Sequence, residues 1–187
     1  KDLVYTARRE GKWGLYRIPS NAAGTAELLF EDESPKAATS WAPDGARLVF
    51  WKQAPETNGD LFVLPLDGDR KPVPVVATPA NETHGQISRD GKWLVYASDE
   101  TKADQPEIYA QPFPSGDGRY QLSTAGGDWP RWSADGKRVF FMAPEAAVNR
   151  SVLSAVSVTA SGTALNQSRP EPVVEFMAIN SPHEGGD

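Results

Sequence analysis

Three Asp-Gly pairs, Asp44-Gly45, Asp90-Gly91 and Asp135-Gly136, place carboxylates at a spacing of about 45 residues. Carboxylates repeated in this way suggest cation ligation or proton transfer. Turn chemistry explains them more simply, since Asp caps a tight turn and Gly supplies the positive φ a hairpin needs. They are read as structural turns. The better candidates lie upstream of each turn, in the loops Asp32–Lys36, Glu82–Gly85 and Gly126–Trp129. Glu33, Glu82 and Asp128 occupy equivalent loops, and His84, Trp129 and Arg131 stand beside two of them. These six are the candidate binding residues. Their acidic bias favours a basic or polar partner, and a protein or peptide is expected.

Most catalytic chemistry lacks its residues. His84 and His183 are the only histidines and cysteine is absent, so one imidazole with Glu82 does not complete a zinc ligand set. The acid-rich stretch Asp99–Glu107 lacks the alternating Asp/Asn spacing and central Gly of a calcium loop. No Gly-x-Ser-x-Gly elbow and no Gly-rich phosphate loop followed by Lys-Ser/Thr is present. No catalytic residue, metal site or cofactor is expected. Asn81, Asn149 and Asn166 each begin an Asn-x-Ser/Thr triplet, a pattern too short to carry weight.

A net charge of −6, with Lys and Arg scattered singly or in pairs, argues against nucleic acid. No apolar run approaches the roughly 20 residues of a membrane span. The chain opens on Lys1-Asp2-Leu3-Val4-Tyr5, a strand pattern rather than a leader.

The elements that must position the candidates follow from the same period. Laid out at about 45 residues, the chain shows four columns of short apolar segments. The first, before each turn, is Thr39–Ala42, Gly85–Ser88 and Pro130–Ser133. The second, after each turn, is Leu48–Trp51, Leu94–Ala97 and Val139–Met142, with Leu3–Tyr5 in register. The third is Leu15–Ile18, Leu61–Leu64, Ile108–Gln111 and Leu153–Val156. The fourth is Glu27–Phe30, Val73–Val76, Tyr120–Ser123 and Pro172–Val174. Residues 145–153 tempt a helix assignment, but register makes the first half a loop and the second half a strand.

Four strands per unit predicts an all-β fold, a β-propeller of about four blades over residues 1–187. The blades run approximately 1–31, 37–77, 84–124 and 129–176, followed by a tail at 177–187. The first blade lacks its inner strand. Either Phe176–Ile179 in the tail region supplies it and closes a small ring, or the chain is part of a larger propeller, which is the favoured expectation. Trp41 and Trp132 share a register position with Ile87, which predicts packing between blades rather than stacking on a ligand. Trp129 differs, because it falls in a loop near the expected central channel.

The units, with Trp41-Ala42-Pro43-Asp44-Gly45 and its counterparts before a basic residue and an apolar strand, resemble the WD40-like repeats of TolB-type six-bladed propellers. Ile87, Arg89 and Ala134 depart from the pattern without breaking the turn. Ile108–Pro114, Tyr120–Thr124 and Pro130–Trp132 look similar to propellers attached to bacterial serine/threonine kinases. That resemblance implies a sensor role and a periplasmic or extracytoplasmic setting, although no kinase motif lies in this chain. Three functions stay open: a non-enzymatic binding module, the regulatory propeller of a larger kinase or prolyl-oligopeptidase-type enzyme, and a partial propeller that self-associates through open edges.

Overall fold

The computed structural model describes residues 2–21, 23–55, 57–145 and 150–177. Those residues form sixteen strands and no helix. The first sheet, in spatial order, holds β1 (Asp2–Arg9), β2 (Lys12–Pro19) and β3 (Glu27–Asp32). The second holds β4 (Lys36–Trp41), β5 (Arg47–Lys52), β6 (Asp60–Pro65) and β7 (Val73–Val76). The third holds β8 (Glu82–Ile87), β9 (Trp93–Ser98), β10 (Glu107–Pro112) and β11 (Tyr120–Gln121). The fourth holds β12 (Asp128–Trp132), β13 (Arg138–Glu145), β14 (Arg150–Ser161) and β15 (Ala164–Gln167), with β16 (Glu171–Met177) also on β14. All pairings are antiparallel, and each sheet is a meander of consecutive strands except that β16 returns past β15 to pair with β14.

The sheets stack face to face. Alternation along each central strand sends successive residues into opposite cores. Leu48 and Phe50 of β5 pack with Leu15, Leu29 and Leu64 between the first and second sheets. Val49, between them in sequence, joins Leu61, Leu94 and Tyr96 in the next core. Trp93, Val95 and Ala97 of β9 then meet Val139, Phe141 and Val156 in the third. Central strands covered on both sides read as continuous apolar runs, and every residue of β9 is buried. Fully burying each Leu or Phe contributes about 1.5–3 kcal/mol. The strands β4, β8 and β12 lie against one another in turn, so the first strands of the second, third and fourth sheets face a common axis. This is a β-propeller arrangement.

One element was not anticipated. β14 runs for 12 residues, and its far half pairs with β15 while its near half pairs with β16. The third column of this unit ends at Val156, and no strand is assigned to 157–167. Yet Val156, Val158 and Leu165 are buried in the third core, which holds the added hairpin in place. The strand reading for the second half of 145–153 agrees with β14, while residues 146–149 and most of the expected tail, 178–187, lie outside the described residues.

Candidate functional site

Each inner strand has two ends, and the Asp-Gly turn forms one of them. The glycine N–H donates to Ala42, Ser88 or Ser133 O at 2.9, 2.9 and 3.0 Å. Gly45, Gly91 and Gly136 take φ of +71°, +74° and +71°, the left-handed region in which a Cβ is disfavoured. The Asp carboxylate accepts the N–H two residues on, from Ala46, Lys92 or Lys137. Arg47 holds the Asp44 carboxyl below its usual range, and the Ser133 hydroxyl does the same for Asp135. These carboxylates are spent on their own turns.

The opposite end is where the inner strands bulge. The ladder slips between Ala38 and Ser40, between Thr83 and Gln86, and between Asp128 and Arg131. Such bulges re-aim side chains that regular pairing would hold in register. His84 and Trp129 occupy the second and third of them with φ of +55° and +57°. Neither is glycine, so each conformation costs on the order of 1–3 kcal/mol that the surroundings must offset.

What offsets it is visible. The His84 and Trp129 rings stack with centroids 4.3 Å apart and planes 23° apart. Asp128 Oδ1 lies 2.9 Å from His84 Nδ1 and accepts the Trp129 backbone N–H at 2.7 Å. In the neutral imidazole the carboxylate assigns the proton to Nδ1, leaving Nε2 as an acceptor. Residues from two adjacent blades thus form one preorganised platform. Trp129 remains 56% exposed despite the stack.

A cleft of about 630 Å³ opens beside Trp129. Pro106, Gly126, Met142 and Pro144 supply its apolar lining, and Lys102, Asp104 and Asp128 supply charge. A Cβ on Gly126 would meet Pro144 at 2.7 Å, so the glycine lets the backbone approach that wall. A smaller cavity of about 290 Å³ near the Asp-Gly end is lined by Asp90 and Asp135, whose carboxylates are already bonded within their turns.

The expected binding residues therefore divide. His84, Asp128 and Trp129 come together, as a group whose mutual bonds the spacing did not reveal. Glu82 is fully buried rather than displayed in a surface loop, which corrects its reading as a partner-facing acid. Its carboxylate accepts the Thr78 N–H at 3.2 Å and the Thr78 hydroxyl, pinning the connection between blades. Burial pushes its pKa upward. Glu33 is exposed but, among the described residues, bonds to none of the His84 group. Arg131 is exposed and folds its guanidinium onto Pro130 O at 2.8 Å. Trp132 packs on the third core and donates Nε1–H to Gln86 O at 3.1 Å, bridging two blades. Pro106, Met142 and Pro144 escaped reading as site residues, because only the folded sheets bring the β9–β10 connection and the far end of β13 alongside Trp129.

No protein-family model matches the chain, and no curated protein sequence matches it. Solved structures do. A TolB protein from Agrobacterium tumefaciens superposes with a TM-score of 0.75 at 19% identity, over 94% of this chain and 62% of its own. TolB from Acinetobacter baumannii gives 0.72 at 20% identity, over 91% of this chain and 41% of its own. Dipeptidyl peptidase 4 from Porphyromonas gingivalis gives 0.61 at 13% identity, over 83% of this chain and 23% of its own. The chain thus spans less than two thirds of the TolB proteins it resembles. Among the described residues no helix is long and apolar enough to cross a membrane. In fold, this chain is a TolB-like β-propeller.

Proposed function

We propose that the propeller is a non-enzymatic binding module that captures a peptide segment of a protein partner at the end carrying Trp129. The observation that carries this reading is an exposed indole, locked by His84 and Asp128, at the mouth of a largely apolar cleft. Rigid aromatic anchors beside a desolvated pocket are what protein interfaces concentrate their affinity on. The strained backbone at His84 and Trp129 is consistent with a site held for binding rather than for folding. Similarity to TolB proteins supports a module of this class, and the proposal assigns no catalysis to this chain.

The test is selection of a phage-displayed dodecamer library on the immobilised chain. Peptides should enrich on the wild type and lose at least tenfold in affinity on Trp129→Ala. Enrichment indifferent to Trp129→Ala would move the site elsewhere.

A second reading has its own support. Leu3 and Leu28 of the first sheet and Val173 and Val174 of the fourth are exposed. Apolar surface on both outermost sheets favours pairing with further blades, whether from a second copy or from a longer polypeptide. Light scattering that returns a monomer at high concentration would remove the second-copy form of this reading. A role as the sensing part of a larger enzyme draws support from the peptidase neighbour, of which this chain matches only a minor share.

A further inference from the structure

Resting on the peptide-binding reading above, we infer that the residue seated on Trp129 is an arginine of the partner peptide. One face of the indole is covered by His84, and the ring is 56% exposed beside the cleft. That free face accepts any flat or apolar group, so the neighbouring charges must decide between them. Asp128 uses Oδ1 for both of its internal bonds, and no hydrogen bond falls on its Oδ2 among the described residues. Asp104, across the same cleft, forms no ion pair among the described residues. Lys102 offsets one of these two carboxylates, so the lining keeps a net negative charge. The chain as a whole carries −6 and would steer a cationic segment toward it.

A proline or phenyl ring on Trp129 would cover Asp128 while giving its Oδ2 no partner, and desolvating a charged oxygen without a new bond is costly. A guanidinium meets both demands, because it stacks flat on an indole and donates in its own plane to a carboxylate. An ammonium satisfies the charge but cannot stack as a plane. Pro106, Met142 and Pro144 would then lie along the aliphatic stem and its apolar neighbours.

The experiment uses the strongest dodecamer from the library and titrates it calorimetrically against the full chain. Its arginine is replaced by citrulline, which keeps the shape and removes the charge, and separately by lysine. Citrulline should weaken binding about tenfold or more, with lysine in between. Asp128→Asn should weaken the arginine peptide by a clearly larger factor than it weakens the citrulline peptide. Trp129-dependent peptides that lack arginine, or that tolerate citrulline, would overturn this inference and leave the binding face standing. Failure to recover any Trp129-dependent peptide would overturn both.

Discussion

The two ends of the same three inner strands share a repeated backbone, but only one end repeats its side chains. At the Asp-Gly end, three blades place the same atoms in the same bonds: a glycine N–H on the carbonyl three residues back and an Asp carboxylate on the N–H two residues ahead. At the bulged end the backbone slips in all three blades, yet the residues there are Thr39, His84 and Trp129. Repetition with invariant chemistry marks what the ring needs to form. Repetition of backbone with divergent chemistry marks where a repeat architecture is free to specialise. Blades three and four have used that freedom to build one aromatic platform from two bulges.

The largest expected effect tests a limit of this contrast, because Lys36 belongs to the divergent end and is structural all the same. Its side chain is fully buried, and Nζ donates to Trp13 O and Ser34 O at 2.8 Å and pairs with Asp32. Replacing Lys36 with Met strands those acceptors and should cost about 3 kcal/mol in urea unfolding. A loss below about 0.5 kcal/mol would show that the connection holds without it. At the Asp-Gly end, Gly91→Val forces a β-branched residue to a φ of +74°. The expected cost is about 2 kcal/mol, with peptide affinity of the folded protein unchanged.

Glu82 sharpens the contrast through pH. Burial raises its pKa, so the folded state holds a proton that the unfolded chain has released in the interval above the ordinary value of 4.5. Stability from this group is greatest below that value and falls as pH rises through the elevated folded pKa. Glu82→Gln should therefore raise the melting temperature at pH 8, by an amount equivalent to about 1 kcal/mol, and give no advantage at pH 4. A destabilised variant at pH 8 would mean that the Thr78 bonds outweigh the cost of burying the charge.

Much of this contrast was legible before any coordinates. The Asp-Gly period located all three turns because turn geometry constrains residue type directly. The apolar run Leu48–Trp51 located β5 as a strand, while its burial on both faces emerged only from the stacked sheets. The candidate cluster was legible residue by residue, since His84 and Trp129 share a register position one period apart. What sequence could not supply was direction. Glu82 and Asp128 both read as loop acids, but one turns into the blade junction and the other toward a neighbouring histidine. A bulge moves a side chain from one environment to another without leaving a composition signal. The β14–β15 hairpin was missed for a related reason: two valines and a leucine carry its burial within an otherwise loop-like stretch.

The smallest stability effect belongs to the residue with the largest proposed role. Trp129→Gly removes an exposed ring and relieves a positive φ, so its stability should stay within about 0.5 kcal/mol of wild type. The decisive measurement is calorimetric titration of one selected peptide against Trp129→Gly and Gly91→Val side by side, each with its urea curve. The account predicts at least tenfold weaker binding with unchanged stability for Trp129→Gly, and the reverse for Gly91→Val. Full affinity in Trp129→Gly, or binding lost in folded Gly91→Val, would contradict the assignment of recognition to the bulged end.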